Sequence, residues 1–183
     1  MGRGFQCSLD GGNPLAIPNN HRTRSSNSRS HLSNHKKDQA MKKGFGFDQL
    51  KDLPEGKLRV LVCGDRKWKD HTMIFSYLYE HINRIGMIIQ GEAKGADTMA
   101  KEAAIKLGLP FKGFEANWWV EGKAAGSRRN TRMLREGKPD AIIAFHDNIE
   151  TSRGTADMIK QSRKAGIPCI LISHEGITGD VEL

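Results

Sequence analysis

Three loops of this chain carry residues able to hold a phosphate or a ribose, and a helix start adds more. "CGDRKW" (63–68) offers Gly64, Asp65 and Arg66. "GEAKGAD" (91–97) offers Gly91, Lys94, Gly95 and Asp97. "HDNIETSRGTAD" (146–157) offers Arg153, Gly154, Thr155 and Asp157, and the helix start "GKAAGSRRN" (122–130) offers Arg128 and Arg129. Glycines let a backbone approach a ligand, and helix N-termini present N–H groups to an anion. Lys94, Arg128 and Arg129 suit phosphate charge. Asp97 or Asp157 suits a ribose hydroxyl or a proton transfer. Each position also has a structural reading. Gly64 and Gly91 fit strand-ending turns, Thr155 fits a helix cap, and both acids suit helix N-termini. Trp118 and Trp119 either stack on a base or cover the core. His146 has no visible partner and is read as structural. Neither G-x-G-x-x-G nor a phosphate-loop GK[ST] is present.

These segments acquire meaning from the elements that hold them. "LRVLVCG" (58–64) reads as a strand closed by glycine, and "TMIFSYLYEHINRI" (72–85) as a helix. "MIIQG" (87–91) is the second strand, and 95–108 a helix ending at Gly108. A third strand is expected over 109–116, a helix over 125–137, a fourth strand over 139–147, a helix over 154–166 and a fifth strand over 167–173. The strands are continuously apolar, as when both faces of a parallel sheet are covered. The alternation predicts an α/β fold, a Rossmann-like three-layer sandwich with a mainly parallel sheet. In such a sheet, ligands bind beyond the carboxyl ends of the strands, where the glycine- and charge-bearing loops lie.

The chain has 183 residues and a net charge of +8. Ten of its 29 basic residues and five of its 21 acidic ones fall within 1–57, so that segment carries +5 of the charge. The basic balance therefore belongs largely to the N-terminal segment and argues weakly for nucleic-acid binding by the domain. Residues 1–40 lack a hydrophobic period and predict disorder. Met41 reads as an alternative start, and 41–57 as a linker punctuated by Pro54 and Gly56. The expected organisation is a disordered basic tail and linker over 1–57, a domain over 58–175 and a short C-terminal tail over 176–183. A chain starting near Lys57 is expected to fold by itself. The three cysteines, Cys7, Cys63 and Cys169, match no disulfide or metal spacing. With no transmembrane or secretory pattern, a reducing, cytoplasmic setting is expected.

Taken in order, "RVLVCGDRKWKD", "GEAKGADTMA", "NWWVEGKAAGSRRNTRML" and "SRGTADM" resemble YspA-type SLOG domains. Their superfamily includes the LOG phosphoribohydrolases and the DprA/Smf DNA-processing fold. The resemblance covers about residues 58–173. It implies a Rossmann-like fold and a site for a nucleotide or nucleotide-derived ligand. By motif, the ligand-binding positions are Gly64, Asp65 and Arg66; Gly91, Lys94, Gly95, Ala96 and Asp97; Gly126, Arg129 and Asn130; Arg153, Gly154 and Thr155. The family often has a second glycine where Asp65 and Glu92 stand, so these carboxylates must point away from a phosphate or bind a metal. The fourth motif differs from that of the LOG enzymes, since Asp157 is shorter than their glutamates.

The first functional reading is a sensor or binding module for a nucleotide, of ADP-ribose-like or NAD-derived type. The alternative is a phosphoribohydrolase or N-glycosidic-bond hydrolase with Asp157 as its catalytic carboxylate. Nucleic-acid processing ranks last. No metal or other cofactor is expected, the partner is a small molecule rather than a membrane or nucleic acid, and homo-oligomerisation is left open.

Overall fold

Strands without a polar face need cover on both sides, and the two most apolar runs take the centre of the sheet. The computed structural model describes residues 50, 53 and 55–179. Its elements are β1 (Leu58–Gly64), α1 (His71–Glu80), β2 (Ile85–Gln90), α2 (Ala96–Lys106), β3 (Phe111–Gly113) and α3 (Trp118–Glu121). They continue with α4 (Ala125–Gly137), β4 (Ala141–Phe145), α5 (Arg153–Lys164), β5 (Cys169–Ser173) and β6 (Gly176–Gly179). The strand order is β3-β2-β1-β4-β5-β6, and all pairings are parallel except β5 with β6.

Alternate residues of the four inner strands, β2, β1, β4 and β5, feed two cores. Val60, Val62 and Ile88 join Ile74 and Leu78 of α1 and Ala100 and Ala104 of α2. Leu61, Cys63 and Ile89 join Met133 of α4 and Met158 and Ile159 of α5. Helices thus cover both faces, giving the expected Rossmann-like three-layer α/β sandwich. The chain runs outward from β1 to β3, then restarts on the other side of β1 with β4. Loops leaving the carboxyl ends of β1 and β4 therefore diverge and leave a crevice between them. Among the described residues, no helix is long and apolar enough to cross a membrane.

Several boundaries differ from the sequence reading. The helix expected over 72–85 stops at Glu80. His81 closes it, its backbone N–H donating to the Tyr77 carbonyl at 3.3 Å and its ring Nδ1 lying 2.8 Å from the same oxygen. Ile85 then opens β2 opposite Leu58. The third strand shrinks to Phe111–Gly113, because the Leu109 N–H returns to the Ala104 carbonyl at 2.9 Å. Residues 176–179, assigned by sequence to a tail, form the antiparallel strand β6. Its turn is fastened by His174, which stacks on Trp68 at 4.5 Å and meets Asp147 Oδ1 through Nδ1 at 2.8 Å.

The expected disorder of 1–40 and residues 180–183 of the C-terminal tail lie outside the described residues. Within the predicted linker, Leu50 and Leu53 are buried in the α1–α2 core. Arg84 Nη2 donates to the Leu53 carbonyl at 3.0 Å, and Nε to the Gly56 carbonyl at 3.3 Å. The folded unit thus reaches upstream of Lys57, because two leucines supply apolar cover that the strand-helix pattern does not announce.

A chain beginning at Met41 is expected to unfold at the midpoint of the full chain. One beginning at Lys57, lacking both leucines, should melt well below it. Leu50→Ala alone should cost about 2–5 kcal/mol in urea denaturation. Equal midpoints for every form would mean that these leucines contribute nothing.

Candidate functional site

The site starts with how β1 ends. The Asp65 N–H donates to the Phe145 carbonyl at 2.9 Å, which holds the tips of β1 and β4 together. The Asp65 carbonyl accepts from the Ala96 N–H at 3.2 Å, which seats α2 beneath the same loop. Gly95 makes this approach possible. Its φ is 77°, and a Cβ there would lie 2.2 Å from the Asp65 carbonyl oxygen. Ala96 is fully buried and is a packing residue.

Across the crevice stands the start of α5. Ser152 caps it, accepting from the Thr155 N–H at 3.2 Å and donating to Thr155 Oγ1 at 2.9 Å. Thr155 Oγ1 in turn donates to the Gly64 carbonyl at 3.1 Å. The first turn of α5 is thereby pinned to the end of β1. Arg153 and Gly154 are exposed there and line a cavity of about 530 Å³, together with Gly64, Asp65, Arg66, Asp97, Arg129, Asn130 and Thr155.

The cavity floor is built around Arg129, which is only 8% exposed. Its Nη1 donates to the Gly91 carbonyl, its Nε donates to Asn130 Oδ1 at 3.2 Å, and Asp97 Oδ2 lies 3.7 Å from Nη1. Gly91 leaves room for this arrangement, since a Cβ there would fall 2.0 Å from Nη1 and the guanidinium would have to shift. Asp97 Oδ2 also accepts from the Gly91 N–H at 2.9 Å. Arg129 is thus committed inside the protein as well as facing the cavity. Its guanidinium is buried and already bonded within the protein, unlike the freely exposed phosphate clamp that its residue type alone suggests.

Asp157 lies elsewhere than the crevice. Its Oδ1 accepts from Ser127 at 3.1 Å, and its Oδ2 accepts from Asn130 Nδ2 and Gln161 Nε2, both at 2.8 Å. It bridges α4 and α5 and is not among the residues lining the cavity. Asn130 also donates to the Gly154 carbonyl at 3.1 Å, so it positions the start of α5. The carboxylate that does line the cavity deeply is Asp97. Burial raises its pKa to about 6, against the pull of Arg129, of the Gly91 and Ala93 N–H groups and of Arg66.

Asp65 and Glu92 are turned to other partners. Asp65 Oδ1 accepts from the Lys67 N–H at 3.0 Å. Glu92 pairs with Lys101 at 2.9 Å and accepts from Gln90 Nε2 at 2.9 Å. Lys94 is exposed and lines a second cavity of about 410 Å³, with Gly91, Glu92, Glu115 and Trp118. Arg66, Ala93 and Arg129 border both cavities. Gly126 lies beside Trp118, where a Cβ would sit 3.6 Å from the ring. Arg128 is exposed on α4 and borders neither cavity.

The sequence reading assigns no site role to several cavity residues, Ser152, His146 and Cys63 among them. Ser152 was legible as a cap three residues before Thr155. His146, which reads as structural in the sequence, lines the cavity while 4% exposed. Its Nδ1 accepts from the Asn148 N–H at 3.0 Å, which assigns the proton of the neutral ring to Nε2. Cys63 also reaches the cavity. Burial first, then the nearby Asp97, pushes its thiol well above the ordinary range, so it stays protonated.

A carboxyl whose pKa rises on folding binds its proton more tightly when folded. Asp97 therefore adds stability that is fully present below the ordinary carboxylate range and is lost as pH rises through about 6. Asp97→Asn removes this titration. Between about pH 4 and about pH 7, the wild type should lose stability relative to Asp97→Asn in denaturant titrations. A difference that stays flat would show that Asp97 does not titrate in this window.

Comparison with known proteins agrees with this architecture. The model of the YspA, cpYpsA-related SLOG family matches residues 58–119. The chain is 36% identical over 122 residues to the Gene 61 protein of Mycobacterium phage D29, covering 61% of this chain and 94% of that protein. It is similar in structure to DNA processing protein A (DprA) from Streptococcus pneumoniae, with a TM-score of 0.52 and 14% identity. That match covers 78% of this chain and 66% of the DprA chain, and at such identity it carries the fold alone. With β1, the β2–α2 turn and the loop to Trp118 inside the matched segment, the chain belongs to the YspA, cpYpsA-related SLOG family.

Proposed function

We propose that the protein is a binding module for a nucleotide or nucleotide-derived molecule, of ADP-ribose-like or NAD-derived type, whose phosphate sits at the start of α5. The observation that carries this reading is the pairing of an exposed Arg153 with a helix N-terminus opening into the cavity. Arg66 and Lys67 add exposed positive charge at the same rim. The acids nearby are already committed, Asp65 to its own turn and Asp97 to Gly91 and Arg129. Asp157, the carboxylate expected to act in hydrolysis, has three side-chain donors of its own. SLOG membership supports a nucleotide-related role. The DNA processing named for DprA has only the shared fold to recommend it here.

One observation favours the second reading, hydrolysis of an N-glycosidic bond. Asp97 is a buried cavity carboxyl raised to about 6, with His146 lining the same space. In that chemistry an ionised Asp97 would stabilise positive charge developing on the sugar, and His146 Nε2–H would donate toward the departing base.

Calorimetric titration with AMP and ADP-ribose tests the binding module. Arg153→Ala should weaken binding by roughly 1.5–3 kcal/mol, the scale of a hydrogen bond to a charged group. The melting temperature should hardly move, because Arg153 is exposed. Unchanged affinity would place the phosphate elsewhere.

Release of free base from nucleoside monophosphates and NAD separates the two readings. The wild type is expected to release none. Turnover that falls on the order of 10²–10³-fold in Asp97→Asn, with ligand still bound, would establish the hydrolase instead.

A further inference from the structure

We infer that the second cavity is a ring-binding subsite, so that the site accepts two nucleoside units joined through a diphosphate. This rests on the reading of the first cavity as the place of a phosphate. Both spaces, about 530 and 410 Å³, fall within the rough 300–1,000 Å³ range of small-molecule sites. They meet at Arg66, Ala93 and Arg129. Two guanidinium groups and a small residue at a junction suit a charged diphosphate connecting the halves of a ligand.

The second cavity then has to receive the remaining half, and Trp118 is the group suited to do so. Trp118 is 52% exposed, and α3 buries no residue that would give it a packing duty in the core. Arg66 lies over it, with Cζ 5.8 Å from the ring centroid. That spacing leaves no room for a third planar group between them. Arg66 is itself exposed. A ligand ring stacking on Trp118 would displace the guanidinium, which borders the junction and would move onto the diphosphate. Lys94 and Glu115 line the same space and can bond ribose hydroxyls or ring edges. One residue thus covers an exposed aromatic face in the empty protein and neutralises the linker in the complex.

The test is calorimetric titration of the full chain with AMP, ADP-ribose and NAD, for the wild type, Trp118→Ala and Trp118→Phe. NAD should bind roughly tenfold tighter than ADP-ribose, the scale of one stacked ring. Trp118→Ala should abolish that advantage while leaving AMP affinity unchanged, and Trp118→Phe should keep most of it. Thermal melting of each variant checks the fold, which the exposure of Trp118 should spare. NAD binding no tighter than ADP-ribose, or an advantage surviving in Trp118→Ala, overturns the ring subsite. In either case AMP binding would leave the nucleotide reading standing. If none of the three compounds binds, both readings fall together.

Discussion

A buried guanidinium needs acceptors for its N–H groups, and the arrangement of the site follows from meeting that need at Arg129. The Gly91 carbonyl in the β2–α2 turn, Asn130 Oδ1 on α4 and the nearby Asp97 carboxyl on α2 meet it. The absent side chain of Gly91 leaves the space, since a Cβ there would displace the guanidinium. Asn130, fixed through its oxygen by Arg129, uses its amide nitrogen on the Gly154 carbonyl and on Asp157. The β2–α2 turn, α4 and the start of α5 are therefore one polar unit. Its members are buried but largely satisfied, which is how such networks rigidify a site.

This network also explains why the charge balance of the crevice differs from a simple count of its acids and bases. Asp65, Glu92 and Asp97 stand around it, but each has a partner within the protein. Arg66, Lys67 and Arg153 remain exposed at its border. An anion approaching the first cavity therefore meets cations at the rim before it meets the Asp97 carboxyl. The basic N-terminal segment is not needed to produce that field.

Much of this was legible in sequence because glycine and charge mark loops, and apolar runs mark buried parallel strands. The order of strands and helices, and the convergence of three motif loops on one edge, followed from those signals. What could not be read was direction. Asp97 and Asp157 each occupy the first turn or so of a helix and look alike as residue types. Only packing turns one toward the crevice and the other between α4 and α5. His146 failed for a related reason, since its partner is the N–H of Asn148 and backbone partners leave no mark on composition. Leu50 and Leu53 lie in a stretch without periodicity, and β6 is four residues with two glycines, so neither carried a pattern to find.

The anchoring of Leu53 by Arg84 sets where the chain joins the domain. Arg84 immediately precedes β2, and its carbonyl accepts from the Leu58 N–H at the start of β1. The junction therefore sits at the amino ends of the strands, whereas the crevice opens at their carboxyl ends. The sheet stands between them. The chain thus enters the folded unit at one pole of the sheet, and the crevice opens at the other.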